Sequence, residues 1–271
     1  MTTTSSRTAI GRAFSHRLEA GSAALVPYIC AGWPDADTSL EMLRAAADAG
    51  ADVLELGLPF SDPLADGPVI QKATFEALEG GMTVKGALEI LRRFRKDHDT
   101  PVVIFTYLNP VVHHGMDAFV AEAADAGAQG LLLTDLPAGA DPALEGAAER
   151  GGLDLIRLLA PTTAPERVPE VAKGGTGFLY YISRTGVTGA RTSLREALAR
   201  EVEALREHVS IPIAVGFGIA EPEQAKAVAR ASDGVVVGSA LLKAMERGGV
   251  EEGRAFLASL RQAIDQVADE E

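Results

Sequence analysis

The chain has 271 residues, of which 47% are apolar and 23% charged, a globular balance that excludes global disorder. Its formal net charge of −13 disfavours binding to nucleic acid or anionic lipid, because phosphate backbones are held by clustered Lys and Arg. A single cysteine, Cys30, excludes an internal disulfide and any multi-cysteine metal site, and fits a reducing compartment.

The start, Met1-Thr-Thr-Thr-Ser-Ser6, is polar and lacks the apolar core of a signal peptide, so residues 1–6 are expected to be frayed. The longest apolar stretch, Pro101 to Val112, is broken by Thr106, Asn109 and Pro110 and falls short of the roughly 18 residues a membrane helix needs. These features point to a cytoplasmic protein.

Short apolar runs alternate with amphipathic stretches along the chain. After a helical pattern at Arg7–Ala20, strands are predicted at Ala24–Cys30, Asp52–Leu58, Val102–Thr106, Gly130–Leu133, Asp154–Leu159, Gly177–Ile182, Ile211–Gly216 and Gly234–Val237. The nearly unbroken apolarity of these runs is that of strands buried on both faces. Helical patterns lie between them; in the first, Asp37 or Thr38 is the expected cap and Gly50 the stop. Ala-Gly-Ala precedes the runs at both Asp52 and Gln129, and a last helix is expected at Val250–Val267. Eight strands alternating with helices in about 250 residues predict a closed parallel (β/α)8 barrel with an extra helix at each end. A doubly wound open sheet is the alternative. No linker divides the chain, so residues 1–271 read as a single domain.

Active sites of such barrels lie at the C-terminal ends of the strands. In the second strand Leu54, Leu56 and Leu58 alternate with Val53, Glu55 and Gly57, which sends the leucines to the helix layer and Glu55 into the barrel. Burial there raises a carboxyl pKa and suits Glu55 to acid–base catalysis, unless a buried arginine pairs with it or the strand register turns it to solvent. The next loop, Pro59 to Pro68, adds Asp62 and Asp66; Pro, Asp and Gly also build ordinary turns, but the loop is long for its position.

Glycine-rich loops follow the sixth, seventh and eighth strands, at Ser183–Ala190, Gly216-Phe-Gly218 and Gly238-Ser239. The last two occupy the frequent phosphate corner of barrels. None of the six lysines falls at a predicted strand end, which argues against a Schiff-base enzyme. His113 and His114 are adjacent and read as a solvated loop pair, and no ligand spacing suggests a metal. Cys30 reads as a small buried hydrophobe rather than a nucleophile. Tyr107 and Tyr180, ending strands three and six, either line a pocket for a flat substrate or fill the barrel.

The segment Leu54-Glu-Leu-Gly-Leu-Pro-Phe-Ser-Asp-Pro-Leu-Ala-Asp-Gly-Pro68 closely resembles the signature of tryptophan synthase alpha subunits. Pro27–Asp35, Tyr107–Pro110, Thr134–Pro137, Ser183–Gly189, Val215–Gly218 and Val237–Ser239 are similar to the family's other loops, in the same order. One departure is Ala138-Gly-Ala140, where many relatives carry acidic residues.

The resemblance implies a retro-aldol lyase that cleaves indole-3-glycerol phosphate to indole and D-glyceraldehyde 3-phosphate. It implies Glu55 as the proton shuttle and Asp66 as the carboxylate for the indole N–H, with Thr188 closing over Asp66. Tyr180 matches a pocket position near the reacting carbons; Tyr28, Phe105 and Tyr107 match positions around the indole. Gly189, Gly218, Gly238 and Ser239 match phosphate-binding positions. The family works with a beta subunit that carries pyridoxal phosphate, in an alpha-beta-beta-alpha tetramer, and Asp62, Pro63, Asn109 and Pro137 match loops facing that partner. No cofactor is expected in this chain. The alternatives are a free-standing indole-3-glycerol phosphate lyase that releases indole without a partner, and a non-catalytic phosphate-binding barrel.

Overall fold

A computed structural model describes residues 8–139, 141–183, 191–216 and 218–268, with 191–195 as backbone. The eight strands are β1 (Ala24–Cys30), β2 (Leu54–Gly57), β3 (Val102–Thr106), β4 (Gly130–Leu133), β5 (Asp154–Leu159), β6 (Leu179–Ile182), β7 (Ile213–Gly216) and β8 (Gly234–Val237). Each pairs in parallel with the next, and β8 closes on β1 through Ala24↔Gly234 and Pro27↔Val237. The expected barrel is therefore present, and the open sheet is not. Five strands match their expected limits; β2, β6 and β7 begin two residues later than expected.

The pleat sorts side chains into two apolar layers. Leu54 and Leu56 face outward with the helices, while Val26, Val53, Val103, Leu132, Ile156 and Val236 fill the barrel. Each fully buried Val, Leu or Phe contributes about 1.5–3 kcal/mol.

The N-terminal end of the barrel is plugged by α1 (Ala9–Glu19), whose Ile10 and Phe14 join the interior cluster. Phe14 stacks on Phe178 with centroids 5.1 Å apart. Room for this plug comes from Gly130 and Gly234: a Cβ at either would lie 2.8 Å from a carbon of Ile10 or Phe14.

The remaining helices wrap the outside. They are α2 (Ala36–Asp48), α3 (Pro68–Glu79), α4 (Val84–Phe94), α5 (Leu108–His114), α6 (Met116–Asp125), α7 (Pro142–Glu145), α8 (Ala147–Arg150), α9 (Val168–Ala172), α10 (Arg191–Arg206), α11 (Pro222–Ala229) and α12 (Ser239–Asp265). Three expectations need correction. The cap of α2 is Asp35, which accepts from Thr38 N at 2.8 Å, because an Asx side chain one residue before the helix reaches the third amide. His113 and His114 end helix α5 rather than sitting in a loop, and His114 Nε2 lies 3.2 Å from Glu122. The last helix begins at Ser239 and is broken at Gly248 and Gly249, the latter with φ of +66°. Among the described residues no helix is long and apolar enough to cross a membrane.

Candidate active site

Glu55 enters the barrel from β2, beside Tyr28 of β1 and Val103 of β3. It is 1% exposed, and its Oε1 has no hydrogen-bond partner among the described residues. Water stabilises a carboxylate far better than this apolar interior does, so burial pushes the Glu55 carboxyl up to about 8. A neutral carboxylic acid at neutral pH is a proton donor waiting for an acceptor. The paired-arginine alternative is absent among the described residues.

Asp66 reaches the same end of the barrel from the loop between β2 and α3. Burial raises its carboxyl to about 6, against the opposing pull of a hydrogen bond from the Tyr107 hydroxyl at 2.9 Å. Burial, then the neighbouring Cys30 thiol and the two carboxylates, hold the Tyr28 phenol well above its usual range, and burial with both carboxylates does the same for Tyr180. Glu55, Asp66, Tyr28 and Tyr180 therefore share one neighbourhood.

The tyrosines have built-in seats. A Cβ on Gly57 would fall 2.1 Å from the Tyr28 hydroxyl, and one on Gly216 would fall 2.4 Å from that of Tyr180. Each ring lies across the glycine of a neighbouring strand. The Tyr28 ring also meets Phe105 edge-on at 5.3 Å, and Phe105 and Tyr180 both pack against the interior cluster. Tyr180 is the second residue of β6 rather than its last, and Tyr107 is the first residue after β3, capping α5. Neither is the last residue of its strand, since β3 ends at Thr106 and β6 at Ile182, the limits read from the sequence.

Across the rim, Gly238 follows β8 and caps α12, and Ser239 is the first residue of that helix. The first amides of a helix have no intrahelical acceptor and carry partial positive charge. Gly218 follows β7 with φ of +73°, a conformation that disfavours any other residue. The register Ala214↔Gly234 through Gly216↔Val236 brings these two glycine turns together. Thr188 and Gly189 lie outside the described residues.

A profile of the family described as tryptophan synthase alpha chain matches residues 14–269. The chain belongs to the tryptophan synthase alpha chain family. The alpha chain of Gluconacetobacter diazotrophicus is 47% identical over 259 residues, covering 95% of this chain and 94% of that one. The solved alpha subunit of Legionella pneumophila superposes with a TM-score of 0.88 at 36% identity, over 96% of this chain and 99% of that one. A chain of Mycobacterium tuberculosis tryptophan synthase gives 0.86 at 36% identity, over 94% and 97%. The protein is accordingly a lyase of tryptophan biosynthesis. It catalyses the alpha reaction, the cleavage of indole-3-glycerol phosphate to indole and D-glyceraldehyde 3-phosphate.

In this alpha chain the four residues matched to partner-facing loops surround the same open end. Asp62 and Pro63 follow β2, Asn109 lies on α5 after β3, and Pro137 follows β4. Asp62, Asn109 and Pro137 are exposed and Pro63 is half-buried. Two neighbours escaped the sequence reading. Leu64 is 90% exposed in the Asp66 loop, and Val112 is 51% exposed on α5. The only signal for Leu64 was a leucine set among Pro, Ala and Asp in a polar turn. Cys30 is fully buried, and burial pushes its thiol up to about 12, which leaves it inert as a nucleophile. Among the described residues no group of three or more His, Cys, Asp or Glu is arranged to hold a metal.

Proposed function

We propose that Glu55 moves both protons of the alpha reaction and that Asp66 holds the indole N–H. Indole is a poor carbanion leaving group, so its C3 must gain a proton as the bond to the glycerol carbon breaks. Protonated Glu55 supplies that proton. The carboxylate left behind then accepts the proton of the adjacent glycerol hydroxyl, whose oxygen becomes the aldehyde oxygen. Glu55 thus ends the turnover protonated again, and no outside acid or base is consumed. Protonation at C3 places positive charge on the indole ring, and ionised Asp66 accepts the N–H hydrogen bond and stabilises that charge. The observation that carries this reading is the raised carboxyl of Glu55 inside the barrel, with its Oε1 lacking a partner among the described residues.

The remaining assignments rest on the match of these residues to the family's motifs. Tyr28, Phe105, Tyr107 and Tyr180 enclose the indole. The amides at Gly218, Gly238 and Ser239 take the phosphate with Gly189, and Thr188 closes over Asp66. The reaction uses side chains and amides of this chain, which acts as one barrel domain over residues 1–271, in the cytoplasm, without a cofactor of its own. Its partner is a beta subunit carrying pyridoxal phosphate, docked on the loops of Asp62, Pro63, Asn109 and Pro137 in an alpha-beta-beta-alpha tetramer. Docking there favours the closed state of the Asp66 loop and keeps indole from escaping.

The test is indole release by purified chain with and without a cognate beta subunit. Glu55→Gln is expected to lose about 10²–10⁴-fold in kcat or more, and Asp66→Asn to be similarly crippled. The profile of kcat/KM against pH should be a bell, rising through about 6 as Asp66 ionises and falling through about 8 as Glu55 does. Near-normal turnover in Glu55→Gln would falsify the shuttle. Full activity alone, unchanged by the beta subunit, would favour a free-standing lyase.

A further inference from the structure

Asp66 sits in a loop with few anchors. Ser61, Asp62, Leu64, Ala65 and Gly67 are exposed, and the loop's own bonds are local: Leu64 N to Asp62 O and Asp66 N to Pro63 O. Gln71, one turn into α3, ties down the carbonyls of Pro63 and Asp66. None of these bonds reaches the Asp66 carboxylate.

Tyr107 does. Its hydroxyl accepts the Ala65 N–H at 3.0 Å and donates to Asp66 Oδ2 at 2.9 Å, so one oxygen fixes both the backbone before Asp66 and its side chain. The phenol is itself held. It is 4% exposed, caps helix α5 directly after β3, and its ring meets Phe60 at 5.3 Å. The residue that follows a barrel strand thus carries the hydroxyl bonded to a carboxylate on an exposed loop.

We infer that Tyr107 is a positioning residue for Asp66, its hydroxyl aiming the carboxylate at the indole nitrogen and pinning the loop that bears it. This rests on the role proposed above for Asp66. Packing against Phe60 alone would need only the ring; the two hydrogen bonds require the hydroxyl. Among the described residues the titratable groups facing Asp66 are Tyr28 and Cys30 from β1, Tyr180 from β6 and Tyr107 itself, with Glu55 of β2 acting on Tyr28 and Tyr180. None is a cation. The Tyr107 bond is the influence that lowers the Asp66 carboxyl against burial. Its loss therefore moves that carboxyl upward and protonates it at pH values where the native residue is charged.

Tyr107→Phe keeps the ring and removes the hydroxyl. With indole-3-glycerol phosphate as substrate, kcat is expected to fall about 10–100-fold with KM little changed, as for a lost hydrogen bond to a charged group. The acid limb of kcat/KM should move to higher pH, making the loss larger at pH 6 than at pH 8. Phe60→Leu, which removes the ring contact but keeps the hydroxyl, should leave the acid limb in place. Incorporating 3-fluorotyrosine at position 107 keeps the ring and makes the hydroxyl a stronger donor. It should move the acid limb to lower pH, a readout that holds even if Tyr107→Phe folds poorly. A uniform loss in Tyr107→Phe with an unmoved acid limb, or no loss at all, overturns the inference while a crippled Asp66→Asn leaves the role of Asp66 standing. Near-normal turnover in Asp66→Asn overturns that role and this inference with it.

Discussion

The two ends of the barrel are built from the same eight strands and obey opposite rules. At the N-terminal end carboxylates are matched. Asp52 accepts from Arg17 at 2.5 Å, Arg261 at 3.0 Å and the Leu25 amide at 2.8 Å, and Asp233 accepts from Arg206 and the Ile213 amide. Aromatic and aliphatic side chains of α1 fill what is left. Asp154, at the start of β5, is the partial exception, with one oxygen lacking a partner among the described residues. At the C-terminal end Glu55 is more deeply buried than Asp52 yet has no arginine among the described residues, where Asp66's carboxylate meets only a phenol. A fold built for stability alone would pair or remove these carboxylates, because a buried unpaired acid is costly. The contrast separates the part of the sequence that holds the barrel from the part held by it.

Substitution at each end should therefore fail in a different currency. Phe14→Ala empties the plug beneath Phe178 and is expected to cost about 3–5 kcal/mol of folding stability, measured by urea denaturation. In variant molecules that remain folded, the pH profile of indole release should be unchanged, since Phe14 lies at the far end from Glu55. A shifted profile would mean that the two ends are coupled.

The unpaired acid also leaves a signature in stability. The folded value of Glu55, about 8, lies above its ordinary value of about 4.5, so folding favours the neutral form. Its contribution is full below pH 4.5 and is lost as the pH rises from 4.5 through 8, the interval in which the unfolded chain ionises and the folded one does not. Glu55→Gln cannot ionise. The stability of this variant relative to the native chain should rise between pH 4.5 and 8 by an amount on the order of a few kcal/mol. Denaturation series across that range would check it; a constant difference would show that solution conditions supply Glu55 with a partner.

This division also explains what could be read from sequence. The strands were legible because each is an apolar run between helix stops, and Glu55 was legible because a lone acid at period two among leucines has only one face to take. The tyrosine seats were not. Nothing local says that Gly57 serves Tyr28 or that Gly216 serves Tyr180, because each pair joins neighbouring strands far apart in the chain. The Tyr107–Asp66 bond was hidden for the same reason, being a contact across 41 residues. The cap at Asp35 was missed because Asp35, Asp37 and Thr38 are all good caps and only backbone geometry chooses among them.

The smallest expected effect on stability sharpens the contrast from the solvent side. Leu64 is 90% exposed, two residues from Asp66, in the loop proposed to face the beta subunit. A side chain that buries almost nothing contributes almost nothing to folding, so Leu64→Ser should change stability by no more than about 0.5 kcal/mol. Activity of the isolated chain should also stay close to native, because the carboxylate is held from the Tyr107 side and not by Leu64. What should change is the response to the partner. An exposed leucine on a docking loop gains its burial only in the complex, and its loss should weaken that association by about tenfold for each 1.4 kcal/mol forfeited. Titrating the beta subunit against indole release would show a half-maximal concentration moved upward with an unchanged basal rate. If the titration curve were native and the isolated chain destabilised, Leu64 would belong with the plug residues at the other end, and the two ends would no longer differ as described.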